Sequence, residues 1–316
     1  MEIVRQSPTT FSLKMRRTPK WRIGWGGLVS LLALAGLAWV FPACGKGPTA
    51  PTDPPTPPAP GSAIVYTAIG ASDATGHGAS VECFPFADCP NGTGYVPLAA
   101  RQLGAQGFKV TLRNRGIPTA VIGPDFQMLG RQYNHLIEGN FIEHEMPFVW
   151  PDTTLVTIFA GGNEVNTITA ALGGGAGATD QRGFIDSQVK AFGADYTTLI
   201  NGIRTSAASA RIIALNVPNM AGLPFLAGAS LPQKQAAQRA AVGMTTTVVN
   251  ALAGQNIAVI DLMCDPRTYQ VSNYSSDGFH PNDSGYAFIA SEVIKATTSA
   301  SYPAPRSSCG QMSLVP

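Results

Sequence analysis

Ala63-Ile64-Val65-Tyr66-Thr67-Ala68-Ile69-Gly70-Ala71-Ser72-Asp73 is the stretch from which this chain's fold can be read. From Ala63 to Ile69 the side chains are apolar or β-branched without a charge, and the run stops at Gly70. Near-continuous apolar character over so short a span fits a strand covered on both faces. Four further runs have the same character: Lys109 to Asn114, Leu155 to Ala160, Arg211 to Asn216 and Ile257 to Leu262. Between them, Tyr95 to Ala105, Phe126 to Glu138, Gly183 to Ala208, Leu231 to Leu252 and Asp283 to Lys295 read as helices. Strands that alternate with helices in this way predict an α/β domain with a doubly wound, five-stranded parallel sheet, helices on both faces and right-handed crossovers. In such sheets, sites gather beyond the carboxyl ends of the strands. Ser72 follows the first run, Asn114 and Gly116 the second, Gly161, Gly162 and Asn163 the third, and Asp277 and His280 the fifth. The candidate residues therefore fall on one edge of the sheet although they are far apart in the chain.

The second informative stretch is Ser276-Asp277-Gly278-Phe279-His280-Pro281-Asn282. A serine hydroxyl is a weak nucleophile until a histidine takes its proton, and the histidine needs a carboxylate to hold its tautomer and stabilise the imidazolium. Asp277 and His280 are three residues apart, so one loop can deliver both. Of the four histidines, His77, His135, His144 and His280, only His280 has a carboxylate just upstream in a turn bounded by glycine and proline. His77 is the rival base because it lies close after Ser72, but no orienting carboxylate is evident for it. Asp73 is expected in the first turn of a helix, where the dipole favours its charge. The glycine-rich segment from Leu172 to Ala178 reads either as a mobile rim of the site or as an ordinary insertion.

Four spaced blocks covering essentially Ser62 to Lys295 resemble the SGNH hydrolases, also called the GDSL esterase and lipase family. Gly70-Ala71-Ser72-Asp73 resembles the nucleophile block, with Ala71 where aspartate is more frequent. Asn114-Arg115-Gly116 resembles the second block, Gly161-Gly162-Asn163-Glu164 the third, with Glu164 where aspartate is usual, and Asp277-Gly278-Phe279-His280 the last. The resemblance implies a flavodoxin-like three-layer α/β/α fold. It also implies Ser72 as nucleophile, His280 as base, Asp277 as its orienter, and an oxyanion hole from the backbone N–H groups of Ser72 and Gly116 with the Asn163 amide. It implies an ester substrate, either a small molecule or a glycan, and no cofactor or metal. The G-x-S-x-G elbow of α/β-hydrolases is not found around Ser72. The competing class is an anchored envelope protein that binds carbohydrate or lipid and keeps the fold without turnover.

The front of the chain has a different character. Arg16, Arg17, Lys20 and Arg22 precede an apolar run from about Ile23 to Phe41, then Pro42, Ala43, Cys44 and Gly45, the order of an export signal over residues 1–44. Phe41-Pro42-Ala43-Cys44 resembles a lipobox. Three outcomes stay open: lipidation at Cys44, an uncleaved signal anchor, or removal to leave a soluble exported protein. Residues 45–61 form a proline-rich spacer inclined to polyproline II, and the hydrolase-like domain runs over residues 62–316. Charged residues make up 13% of the chain and the formal balance is +2, with no basic cluster outside the signal, which argues against a nucleic-acid partner. After Cys44 come Cys83, Cys89, Cys264 and Cys309, an even number in an exported chain. Of the three connectivities, Cys83 with Cys89 and Cys264 with Cys309 is the favoured one.

Overall fold

A computed structural model describes residues 56–316; the apolar run, Cys44 and most of the spacer lie outside the described residues. β1 (Ala63–Gly70) leads through the single turn α1 (Ser72–Thr75) to α2 (Tyr95–Ala105) and β2 (Lys109–Asn114). The short helices α3 (Pro124–Gln132) and α4 (Phe141–His144) precede β3 (Leu155–Phe159), and α5 (Gly162–Gly173) and α6 (Gln181–Ser206) precede β4 (Arg211–Leu215). Then come α7 (Leu231–Gly243), β5 (Ala258–Ile260) and α8 (Asp283–Thr298).

The five strands pair in the order β2-β1-β3-β4-β5, all parallel. Successive residues of a strand point to opposite faces, and this divides the core in two. Ile64, Tyr66 and Ala68 of β1 join Tyr95, Val96 and Leu103 of α2 and Tyr286, Ile289 and Val293 of α8 on one face. On the other, Ile69, Val156, Ile158 and Ile212 meet Phe126 of α3, Val165 and Ile168 of α5, and Phe192, Tyr196 and Leu199 of α6. Three layers result, as expected for a flavodoxin-like fold. Buried hydroxyls of β1 are paired, Tyr66 with Thr157 of β3 at 2.9 Å and Thr67 with Thr153, just before β3, at 3.1 Å. The strand order reverses at β1, which has β2 on one side and β3 on the other, and a crevice opens there at the carboxyl edge.

Three helical expectations need correction. α5 is a helix where the sequence suggested only a turn and a glycine-rich stretch. Its two Thr, two Asn and two Gly give low helix propensity, but the Val165, Ile168 and Ala171 stripe is buried against the sheet, and packing outweighs propensity. α5 begins at the carboxyl edge and spans about 17 Å, so the Leu172 to Ala178 segment sits at its far end and is no rim of the site. Ala176 there is buried, with its N–H donating to Ala171 O at 2.9 Å. α3 stops at Gln132 rather than Glu138, and Asn134 just beyond it adopts a left-handed φ of 54°. α7 continues past Gly243 as a π-helical turn, Met244–Val249, within which the Thr245 hydroxyl donates to Val217 O at 2.7 Å.

Cys83 is bonded to Cys89 and Cys264 to Cys309, with sequence separations of 6 and 45. In a chain-entropy account the longer loop constrains the unfolded chain more, about 4 kcal/mol against about 2 kcal/mol. Urea unfolding of Cys264→Ser/Cys309→Ser is therefore expected to show roughly twice the loss of Cys83→Ser/Cys89→Ser. Equal losses would show that native-state packing, not loop closure, sets the effect.

Candidate active site

Ser72 is the first residue of α1, directly beyond β1, and is almost fully buried. Its Oγ lies 2.8 Å from His280 Nε2, and His280 Nδ1 lies 2.6 Å from Asp277 Oδ2. With Nδ1–H donating to the carboxylate, Nε2 is left to accept from the serine hydroxyl. Asp277 Oδ1 accepts from the backbone N–H of Phe279 at 2.8 Å, that of His280 at 2.9 Å and the Ser275 hydroxyl at 2.8 Å. Burial pushes the Asp277 carboxyl up, but hydrogen bonds from His280, Phe279 and Ser275 outweigh it and hold the group well below the usual carboxylate range.

The loop that carries these residues is fixed on several sides. Gly278 has φ 70°, and a Cβ there would meet Phe225 N at 2.6 Å, so glycine alone lets the chain turn between Asp277 and His280. Phe225 N–H in turn donates to Gly278 O at 3.0 Å, and Ser275 N–H to His280 O at 2.9 Å. Asn282 caps α8 through Ser284 N and Gly285 N, while its amide donates to Ser272 O and Tyr274 O. One side chain thus ties the helix start to the loop that carries His280.

The residues assigned to an oxyanion hole have different partners. No hydrogen bond among the described residues engages the Ser72 N–H. Asn163 donates one amide hydrogen to Ala120 O at 2.9 Å and keeps a second. The Gly116 N–H donates to Asn114 Oδ1 at 3.1 Å, within its own turn. The Asn114 amide donates to Ala74 O at 2.7 Å, so this side chain joins the second block to α1. A Cβ on Gly116 would lie 2.8 Å from Ala74 Cβ and 3.1 Å from Ala71 O, which excludes any larger residue.

Two buried glutamates that no sequence motif singled out for this purpose hold the backbone around these groups. Glu145, beyond the end of α4, accepts from Gly70 N–H at 2.9 Å through Oε2. Its Oε1 has no hydrogen-bond partner among the described residues. Burial raises its pKa well above the ordinary value against the opposing N–H groups of Gly70 and Ile117. Glu164, in the first turn of α5, accepts from Ile122 N–H, and burial pushes its pKa up to about 7. Glu145 thus holds the end of β1 at Gly70, and Glu164 holds Ile122. Asp73 lies in the first turn of α1, as expected, and there burial raises its pKa against the attraction of His280.

His77 is not part of the serine–histidine–aspartate chain, but it does have a carboxylate: its Nδ1 lies 3.0 Å from Glu82 Oε1, and its ring meets that of His280 edge-on at 4.5 Å. A cavity of about 60 Å³ lies beside the site, with Ala71, Asp73, Asn163, Val217, Phe279 and Arg267 among its lining residues.

The sequence profile described as GDSL-like Lipase/Acylhydrolase family matches residues 51–288, and the chain belongs to that family; it is a hydrolase acting on ester bonds. A lipase from a goat rumen metagenome shares the fold with a TM-score of 0.52 and 17% identity, over 74% of this chain and 98% of that one. An extracellular lipase from Streptomyces rimosus does so with a TM-score of 0.51 and 18% identity, over 74% of this chain and 100% of that one. No curated protein matches the sequence.

Glu164 makes a pH signature. With the folded pKa about 7 against an ordinary value of 4.5, the native state binds more protons than the unfolded state between these values, so stability falls as pH rises through that window. The loss is on the order of 3 kcal/mol and is complete above the folded pKa. Glu164→Gln, which keeps an acceptor for Ile122, is expected to flatten this part of the profile in denaturant titrations from pH 4.5 to 8. An unchanged slope would show that the acid does not titrate in this range.

Proposed function

We propose that the chain is an exported serine esterase in which Ser72 is the nucleophile, His280 the general base and Asp277 its orienter. The observation that carries this reading is the unbroken chain from Asp277 through His280 to Ser72, with distances of 2.6 and 2.8 Å, at the carboxyl edge of the sheet. As Ser72 Oγ attacks the ester carbonyl carbon, its proton passes to His280 Nε2. The tetrahedral intermediate collapses, the C–O bond to the alcohol breaks, and the alcohol leaves with that proton. Water then gives a proton to His280 while attacking the acyl-enzyme, and Ser72 recovers its proton as the acid departs. The Ser72 N–H and the second amide hydrogen of Asn163 are the donors for the developing oxyanion, each of a kind worth about 3 to 4 kcal/mol in such sites. Gly116 is left out of this set, and its part is to let the second block lie against α1.

The apolar side of the cavity favours a neutral acyl group. Since a single water needs ~10–15 Å³, a space of about 60 Å³ fits a short acyl chain of a few carbons rather than a long one. Export is supported by the arginine- and lysine-flanked apolar run in the sequence and by the two disulfides. Attachment through Cys44 is the form of export that mass spectrometry of the mature N-terminus would test. Among the described residues no helix is long and apolar enough to cross a membrane.

A series of p-nitrophenyl esters from acetate upward, with a fluorophosphonate probe, tests the reading. Hydrolysis is expected to be fastest for short acyl groups, and the probe to label Ser72 alone. Ser72→Ala and His280→Ala are each expected to lower kcat by roughly 10⁴- to 10⁶-fold, and the double variant little further, because nucleophile and base act as a unit. Asp277→Asn is expected to lose about 10⁴-fold through loss of tautomer control. Near wild-type turnover in folded Ser72→Ala would remove the assignment. A folded wild type that neither hydrolyses any ester nor takes the probe would favour binding without turnover.

A further inference from the structure

Beyond the carboxyl end of β2, aromatic rings and two guanidinium groups share one surface. Trp150 stays 46% exposed, Phe148 40% and Phe84 84%. Phe148 meets Phe86 edge-on, with ring centroids 5.0 Å apart. The Arg115 guanidinium lies 5.5 Å from the centre of the Phe86 ring and 5.6 Å from that of Trp150, and Arg113 lies 4.5 Å from Trp150. Exposed apolar groups linked in this way mark a binding surface. The surface is anchored on the helix that begins at Ser72. Arg115 stands between Asn114, whose amide donates to Ala74 O, and Gly116, where a Cβ would lie 2.8 Å from Ala74 Cβ. Phe84 and Phe86 belong to the loop closed by the Cys83–Cys89 bond, and Cys83 N–H donates to Thr75 O, at the end of α1, at 2.8 Å.

The polar groups decide what this surface fits. Arg113 makes a two-pronged ion pair with the exposed Asp152 carboxylate, at 2.6 and 2.7 Å. The Arg115 guanidinium makes no hydrogen bond among the described residues, its Nε is buried without a partner, and Asp88 attracts it without bonding to it. Two guanidinium groups beside two carboxylates leave no net charge, which matches neither an anionic lipid surface nor a nucleic acid. A neutral molecule rich in hydroxyls is matched: the negative face of an aromatic ring attracts the C–H face of a sugar, while the free donors of Arg115 and the Asp152 carboxylate suit its hydroxyls. Cavity size agrees, since about 60 Å³ holds only a short acyl group and the larger part of an ester must then lie outside it. We propose that Trp150, Phe86 and Arg115 form a platform for a neutral oligosaccharide, the alcohol part of a glycan ester whose short acyl group is presented to Ser72. The binding rests on the platform, and the turnover of the bound ester rests also on the reading of Ser72 as nucleophile.

Cellohexaose, xylohexaose and mannohexaose are the probes for binding by calorimetry, with their acetylated forms and p-nitrophenyl acetate as substrates. Each variant is compared with wild type after its fold is checked by circular dichroism. At least one hexaose is expected to bind, with Trp150→Ala weakening it about tenfold and Trp150→Phe, which keeps a ring, restoring most of the loss. KM for the acetylated hexaose is expected to rise in Trp150→Ala and Arg115→Gln with little change in kcat, while turnover of p-nitrophenyl acetate stays at the wild-type rate. No heat of binding with any of the three at millimolar concentration, or equal binding by wild type and Trp150→Ala, overturns the platform. Association with phosphatidylcholine vesicles that Phe84→Ala abolishes, without binding of any hexaose, overturns it in favour of a lipid surface. Hexaose binding that depends on Trp150 in a protein that hydrolyses no ester supports the platform and removes the catalytic reading instead, so the two fail separately.

Discussion

Parallel pairing is the constraint on which the rest of this structure depends. Strands that all run the same way must all end at one edge, and each return must cross a face of the sheet. Ser72 after β1, Asn114 at the end of β2 with Gly116 just beyond, and Gly162 and Asn163 after β3 therefore meet without being near in sequence. The reversal of strand order at β1 opens the space between them, because the connections leaving the two sides diverge. β5 contributes at longer range. The chain wanders through two short 3₁₀ turns, Pro266–Tyr269 and Val271–Asn273, before it presents Asp277 and His280.

A loop of that kind is accurate only if it is held, and here the holding is polar. Asp277 accepts three hydrogen bonds besides that from the His280 ring, and Asn282 joins the loop to α8. On the opposite side of the crevice, Glu145 and Glu164 hold backbone N–H groups rather than side chains. Buried networks of this sort are strong when every member is satisfied and costly when one is not. The unpartnered Glu145 Oε1 is the costly member, in the range of ~1–3 kcal/mol for an unmet buried polar group.

Much of the fold and the core of the site were legible in the sequence, for definite physical reasons. Strands covered on both faces leave uninterrupted apolar runs, and Asp277, Gly278 and His280 sit in one short turn, so local pattern was enough. α5 was not legible because its stabilisation comes from the sheet under Val165 and Ile168, while its own composition favours an extended chain. The Glu82 partner of His77 was hidden by an intervening turn: His77 N–H donates to Ser72 O at 2.9 Å and Cys83 N–H to Thr75 O at 2.8 Å, which folds the chain back and brings position 82 to the ring. The commitment of the Gly116 N–H to Asn114 depends on backbone direction within a turn, which residue types do not encode. Glu145 carried no signal, since a lone acid before Met146 and Pro147 looks like any solvated residue until tertiary packing buries it.

Glu164 shows how one methylene can matter at such a place. It occupies the position after Asn163, where the α5 N-terminus favours a negative charge, and its carboxylate spans from that helix to Ile122 N–H across the crevice. Aspartate would draw the carboxylate back by about 1.5 Å, beyond hydrogen-bond reach unless one wall moved. The wall in question carries Ala120, whose carbonyl receives the Asn163 amide at 2.9 Å. The longer acid therefore sets the width of the crevice at the point where Asn163 is aimed, and the raised pKa that burial imposes on it is the energetic consequence of placing a carboxylate there. The orientation of the Asn163 amide, the donor proposed for the oxyanion, thus depends on an acid outside the proposed chemistry.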